Sequence, residues 1–249
     1  MIAILGSGMS ALFAAWACIE EGEPFEIFTN DASVPVVAGF QYLASPCNLP
    51  VASTTLHRSV TPVVQSVITV TEQYNMKVYG IPDLSSELGH FQDEEQIWSM
   101  KEARDVLWPM VQDNIHMHNF RSLDQIKKLK DMYMYVFSTI PLNKLGVGGL
   151  QYTLADVALF AGTEKSFCVY NTDSHIQWYR SGSVFGHGFM ESLHQEGIPV
   201  GVHSVIKVIG KDAVLVLPRN VMLCGRYGAW DRTVRVDDVY YQVKECLRR

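Results

Sequence analysis

IAILGSGMSALFAAW, residues 2–16, is the stretch on which the reading of this 249-residue chain turns. Ile2 to Leu5 is a short apolar run that ends at a glycine, the pattern of a buried strand. Met9 to Glu21 is rich in Ala, Leu and Trp and carries Glu20 and Glu21 ahead of Gly22, which predicts a helix with a glycine stop. Phe25 to Phe28 reads as a second short strand. Strand, glycine turn, helix and strand in this order make a βαβ unit.

The turn carries chemistry. Gly6-Ser7-Gly8-Met9-Ser10-Ala11 fits G-x-G-x-x-[GA] between a strand and a helix. Gly6 permits a tight turn, Gly8 lets backbone approach a pyrophosphate, and Ala11 is small enough for helix to pack on strand. Free N–H groups at the helix start would face the anion. Dinucleotide binding is therefore expected, in preference to a purely structural glycine turn. The acidic residue that usually meets the ribose at the end of the second strand is absent. Thr29 stands there, followed by Asn30 and Asp31.

Composition sets the class. Apolar residues make up 48%, charged residues 18% and aromatic residues 11%, which describes a folded core and excludes a disordered chain. A formal net charge of −6 argues against extended nucleic-acid binding, and Lys127, Lys128 and Lys130 read as a solvated helix face. The 5 cysteines are scattered without a C-x-x-C, as in a reduced, cytoplasmic protein. The first residues lack a basic n-region, so no signal peptide is expected. No run reaches the ~20 uninterrupted apolar residues of a membrane span.

Further along, ASVPVVAGFQYLASPCNLPV from Ala32 reads as an extended loop over the nucleotide site. Helices are expected over Val63–Met76 and Ser99–Asn114, with Pro109 kinking the second or ending its first half. A strand at Ile115–Met117, the helix SLDQIKKLKD and the strand YMYVFSTIPL follow. SFCVYNT, IQWYRSGSVFG, HSVIKVIG and AVLVL read as antiparallel strands. NVMLCGRYGAWDRTVRVDDVYYQVKECLRR closes the chain as strand, glycine turn and helix, with basic residues at the end that suits the helix dipole.

This closing segment, with Gly225-Arg226 followed by Asp237-Asp238, resembles the final motif of UDP-galactopyranose mutases and related amine-oxidase-like flavoproteins. VFSTIPL resembles the strand that passes the flavin in those families, and AGFQYL the flavin-facing segment of small, some phage-encoded, members. The resemblance implies FAD, and an α/β fold: a Rossmann-like FAD-binding domain with a parallel sheet and a small antiparallel β substrate lobe. The chain is expected to be a single unit (1–249). Residues 1–50, 131–145 and 218–249 would form the nucleotide-binding part, and about 51–130 and 146–217 the substrate part.

The expected cofactor contacts are Gly6, Ser7, Gly8, Met9, Ser10, Ala11, Thr29, Asn30, Gln41, Tyr42, Gly225, Arg226, Asp237 and Asp238. Gln41 and Tyr42 would face the flavin ring, and Arg226 would offset pyrophosphate charge. On a strand, Trp178 and Arg180 face one way and Tyr179 the other. Arg180 beside aromatics suits a substrate carboxylate or phosphate, so Tyr179, Arg180 and Gln41 are the candidate catalytic residues. His116 and His118 share a face but lack a third ligand, so no metal site is expected. His187 reads as a residue of a Gly-His-Gly turn. No G-x-S-x-G elbow supports a serine hydrolase.

The function expected from the resemblance is oxidation or cleavage of a C–N bond in an amine or amino-acid-like substrate, an amino-acid-decorated nucleobase being one candidate. One alternative is a non-redox mutase acting on a sugar nucleotide, for which Arg104 and Arg121 are the available middle-region arginines. Another is an FAD-binding module without turnover.

Overall fold

A computed structural model describes residues 1–37, 41–61, 70–82, 93–194 and 202–249. The chain folds around two sheets. The first is parallel, with order β12-β6-β1-β2-β5, built from β1 (Ile2–Leu5), β2 (Phe25–Thr29), β5 (Ile115–Met117), β6 (Tyr135–Ser138) and β12 (Val221–Leu223). The second has seven strands in the order β11-β7-β10-β9-β8-β3-β4. Its strands are β3 (Ser53–Thr61), β4 (Glu94–Trp98), β7 (Leu150–Ala161), β8 (Phe167–Asn171), β9 (Trp178–Val184), β10 (His187–Leu193) and β11 (Val202–Lys211).

The parallel sheet is buried on both faces, as parallel sheets must be. Ile2 and Ile4 of β1 point into one cluster with Phe13, Leu107 and Val239. Ala3 and Leu5 point into another, with Ile126, Val136 and Trp230. Helix α1 (Met9–Glu21) covers the first face and ends at Gly22 in the left-handed region, where the Gly22 and Glu23 amides cap the last carbonyls. Helices α3 (Met100–Val111) and α6 (Asp238–Leu247) pack against α1. Helix α4 (Leu123–Lys127) lies on the opposite face, where its Ile126 is fully buried.

The second sheet is mixed rather than wholly antiparallel, because β3 and β8 run parallel. It is also the larger of the two sheets, not a small lobe. Helix α2 (Val70–Tyr79) covers part of it. Tyr74 stands edge-on to Tyr170 and Tyr179, and Lys77 Nζ donates to the carbonyls of Asn171, Asp173 and Trp178 at 3.0, 2.7 and 2.7 Å. Residues 63–69 of the helix expected at Val63–Met76 lie outside the described residues.

Three other expectations are corrected in whole or part. Pro109 does not end α3, which runs on to Val111, and Gln112–Asn114 continue as a single 3₁₀ turn. His187 begins β10; the turn before it is Phe185-Gly186, both with positive φ. Ala213–Leu217 is not a strand. Val214 and Val216 are 91% and 79% exposed, and Leu215 and Leu217 pack on the cluster around Trp230. Alternate side chains dock the segment on the core, with no backbone ladder among the described residues. No helix among the described residues is long and apolar enough to cross a membrane.

Candidate functional site

The glycine turn sits at the carboxyl end of the parallel strands, where open α/β sheets place their ligands. Gly6 has φ +105°, and its amide donates to the Phe28 carbonyl at 2.8 Å. A Cβ there would lie 2.5 Å from Thr139 Oγ1, so the residue is fixed by the fold itself. Gly8 differs. It caps α1 in an extended conformation (φ −72°, ψ 177°), and a Cβ would meet no described atom within 4 Å. The turn is thus open at Gly8, where an anion would approach the α1 amides. Met9 and Ser10 form the first turn of α1, and Ala11 is fully buried.

Thr29, Asn30 and Asp31 close β2 beside this turn. Ser7 Oγ lies 3.0 Å from Thr29 Oγ1 and donates to the Asp31 carbonyl at 2.6 Å, while the Asp31 amide donates to Thr29 Oγ1 at 3.1 Å. Thr29 is buried and engaged in this knot, whereas Asn30 and Asp31 are exposed.

The closing segment returns to the same place. Gly225 has φ +73° and opens α5 (Gly225–Ala229); a Cβ on it would lie 2.4 Å from Ser10 Oγ. A Cβ on Gly228 would lie 2.8 Å from the Ser138 carbonyl. Arg226 Nε donates to the Val234 carbonyl at 3.4 Å. Asp237 caps α6, and burial pushes its carboxyl up. Asp238 accepts the Arg235 amide at 2.6 Å. Two buried polar atoms here, Ser138 Oγ and Asp237 Oδ1, have no hydrogen-bond partner among the described residues. The open face at Gly8 fits an approaching pyrophosphate, and the Ser138 hydroxyl and Asp237 carboxyl fit hydroxyl groups of a bound dinucleotide.

Segment 41–52 links the two sheets. Trp16 Nε1 donates to the Cys47 carbonyl at 2.8 Å, and Leu43 pairs with Trp98 through two backbone bonds of 3.0 Å. This pairing sets Tyr42 beside β4. Its hydroxyl lies 3.2 Å from Glu95 Oε2 and 2.5 Å from Arg58 Nη2. Gln41 is exposed, and Ala38–Phe40, part of the expected flavin-facing segment, lie outside the described residues. Arg58 Nη2 also pairs with Glu95 Oε2, and Arg235 Nη1 reaches Glu95 Oε1 at 3.4 Å. Sequence reasoning missed Arg58, Glu95 and Arg235, which lie far apart in the chain and match no local motif.

Tyr179 and Arg180 are placed elsewhere on the mixed sheet and share a target. Arg180 pairs with Glu191 and Trp178 with Ser192, so β9 carries an extra residue opposite β10. This bulge breaks the alternation of side chains. Tyr179 and Arg180 consequently both reach Glu191, at 3.1 Å from the Tyr179 hydroxyl and 2.7 and 2.8 Å from Arg180 Nη2. Lys207 Nζ joins at 2.6 Å. Burial alone would raise the Glu191 carboxyl, but the neighbouring Arg180 and Lys207 outweigh it and lower it to about 2. Tyr179 and Arg180 thus meet at Glu191, whereas Gln41 is exposed. Arg104 pairs with Asp105 at 2.6 Å, and the backbone amide of Arg121 is held by Gln125 at 2.6 Å.

No family model and no curated sequence matches the chain. Solved structures do. Reduced UDP-galactopyranose mutase superposes with a TM-score of 0.59 at 11% identity, over 99% of this chain and 94% of that one. RebC with reduced flavin gives 0.56 at 10% identity, over 99% of this chain and 61% of that one. Aklavinone-11 hydroxylase in complex with FAD and aklavinone gives 0.53 at 11% identity, over 99% and 62%. The fold of this chain is that of FAD-dependent flavoproteins: a Rossmann-like parallel sheet with a second, mixed sheet beside it.

Proposed function

We propose that the chain is an FAD-dependent enzyme acting on a C–N bond of an amine or amino-acid-like substrate. The observation that carries the cofactor assignment is the convergence of two glycine turns, Gly6–Gly8 and Gly225, with the Gly8 face kept open. In this reading Gly8 and the α1 amides hold the pyrophosphate, Arg226 adds positive charge, and Asp237 and Asp238 lie at the α6 end of the cofactor. When bound, FAD supplies a two-electron acceptor. Gln41 and Tyr42 border the ring, and the mixed sheet forms the substrate wall. Tyr179 and Arg180 contribute to that wall by holding Glu191; a substrate would contact Arg180 only by displacing that carboxylate. The C–N chemistry rests on the amine-oxidase-like closing motif, and an amino-acid-decorated nucleobase is one substrate of this class.

The mutase-like superposition supports a second reading, non-redox chemistry on a sugar nucleotide. A visible spectrum of the purified protein, with the released cofactor identified by mass, tests the common part first. Anaerobic mixing with amines and amino acids then divides the readings. An oxidase bleaches with a substrate of this panel. A mutase leaves oxidised flavin unbleached and turns over a UDP-sugar only after prior reduction, and a binding module does neither. A colourless protein that takes up no FAD overturns the proposal at its root.

A further inference from the structure

Glu95 is shared by donors from three separate segments: Tyr42 from the linking loop, Arg58 from β3 and Arg235 from the closing segment. These three donors present two guanidinium groups to one carboxylate. The two arginines are held differently. The Arg58 side chain is only 5% exposed, and its buried Nε has no hydrogen-bond partner among the described residues. An unpartnered N–H on a buried cation is costly, so a further acceptor at Arg58 Nε would be stabilising. The Arg235 side chain is 44% exposed and touches Glu95 at only 3.4 Å, so it is the more open of the two. Arg235 lies two residues before Asp237, whose carboxyl burial shifts toward the neutral form; Asp238 is turned back onto the Arg235 amide.

We infer that Arg58 and Arg235 form an anion subsite of the substrate pocket, taking a carboxylate or phosphate group of the substrate at the junction of the two sheets. Planar two-oxygen anions match the fork of a guanidinium, and Glu95 engages one nitrogen of each arginine. Glu95 is therefore a competitor for the incoming anion as well as the strut that positions both arginines. The inference rests on the proposed flavoenzyme reading for the meaning of the pocket, but its test stands apart from it.

FAD-loaded protein is titrated with acetate, glycine and inorganic phosphate, following flavin absorption and the heat of binding in parallel. A saturable response is expected, weakened about 10-fold in Arg235→Gln by loss of one charged partner. In Glu95→Gln the same response should strengthen about 10-fold, because the competing charge is gone. Uptake of FAD itself should change by no more than about 2-fold in either variant. A purely structural role for the cluster would not produce the gain in Glu95→Gln. Preference for acetate and glycine identifies a carboxylate, and preference for phosphate identifies a phosphoryl group. No response to any anion, or equal responses in all three proteins, overturns the subsite while FAD uptake still supports the cofactor. Failure to take up FAD overturns the cofactor reading instead, and the heat titration on the chain alone then judges the subsite.

Discussion

Replacing Gly8 with aspartate will abolish FAD uptake while leaving the protein without cofactor as stable as the parent. Gly8 is the cap of α1 with φ −72°, a conformation any residue adopts, and a Cβ there meets no described atom within 4 Å. Aspartate is a better helix cap than glycine by a few tenths of a kcal/mol, so unfolding should occur at the same temperature or slightly above. The new carboxylate would stand where the pyrophosphate approaches the α1 amides, and FAD affinity should fall at least about 100-fold, or ~3 kcal/mol. Gly6→Ala supplies the contrast. Its φ of +105° and the 2.5 Å approach to Thr139 Oγ1 make any side chain a folding defect, so stability falls along with binding. Fluorescence titration of FAD and thermal unfolding of both variants check the pair. Unchanged FAD affinity in Gly8→Asp would remove the phosphate turn from the argument.

The first thirty residues were legible because every local signal agreed. The strand at Ile2–Leu5 and the helix at Met9–Glu21 match the sequence expectation residue for residue, and the second strand extends it only to Thr29. Apolar alternation, a glycine stop and a glycine turn each depend on near neighbours alone. The mixed sheet was less legible. Its longest strand, Leu150–Ala161, carries Leu154, Ala155, Ala158 and Leu159 at spacings that suit a helix as well as a strand. Partners on both sides, β10 and β11, decide its conformation. Ala213–Leu217 shows the converse: an apolar run of strand-forming residues that pairs with no strand among the described residues.

The candidate site divides in the same way. Its proposed cofactor half lies in two contiguous motifs: Gly6–Ala11 could be named from its glycine spacing, and Gly225–Arg226 from the resemblance of the closing segment. The cluster at Glu95 joins residues 42, 58, 95 and 235, brought together only by the pairing of β3 with β4 and by the return of the closing segment. Arg180 was noticed for its aromatic neighbours, but its partner Glu191 lies across a bulge that no period of two reveals.

That buried pair predicts the second large effect. Glu191→Gln keeps the shape of the side chain but leaves Arg180 and Lys207 without their shared carboxylate. Removing one member of a buried ion pair costs about 3 kcal/mol, which in a chain of this size lowers the unfolding temperature by about 8 °C. The pH dependence identifies the cause. The folded-state carboxyl lies at about 2, below its ordinary 4.5, so its contribution is complete above pH 4.5 and is lost as pH falls toward 2. Parent and Glu191→Gln should therefore differ most at neutral pH and converge on acidification. Thermal unfolding of both proteins at pH 7, 5 and 3 measures this. A gap that stays constant down to pH 3 would mean that the substitution acts through packing, and that the charge on Glu191 does not hold β9, β10 and β11 together. Convergence would show that the ion network at Glu191 holds this part of the mixed sheet together.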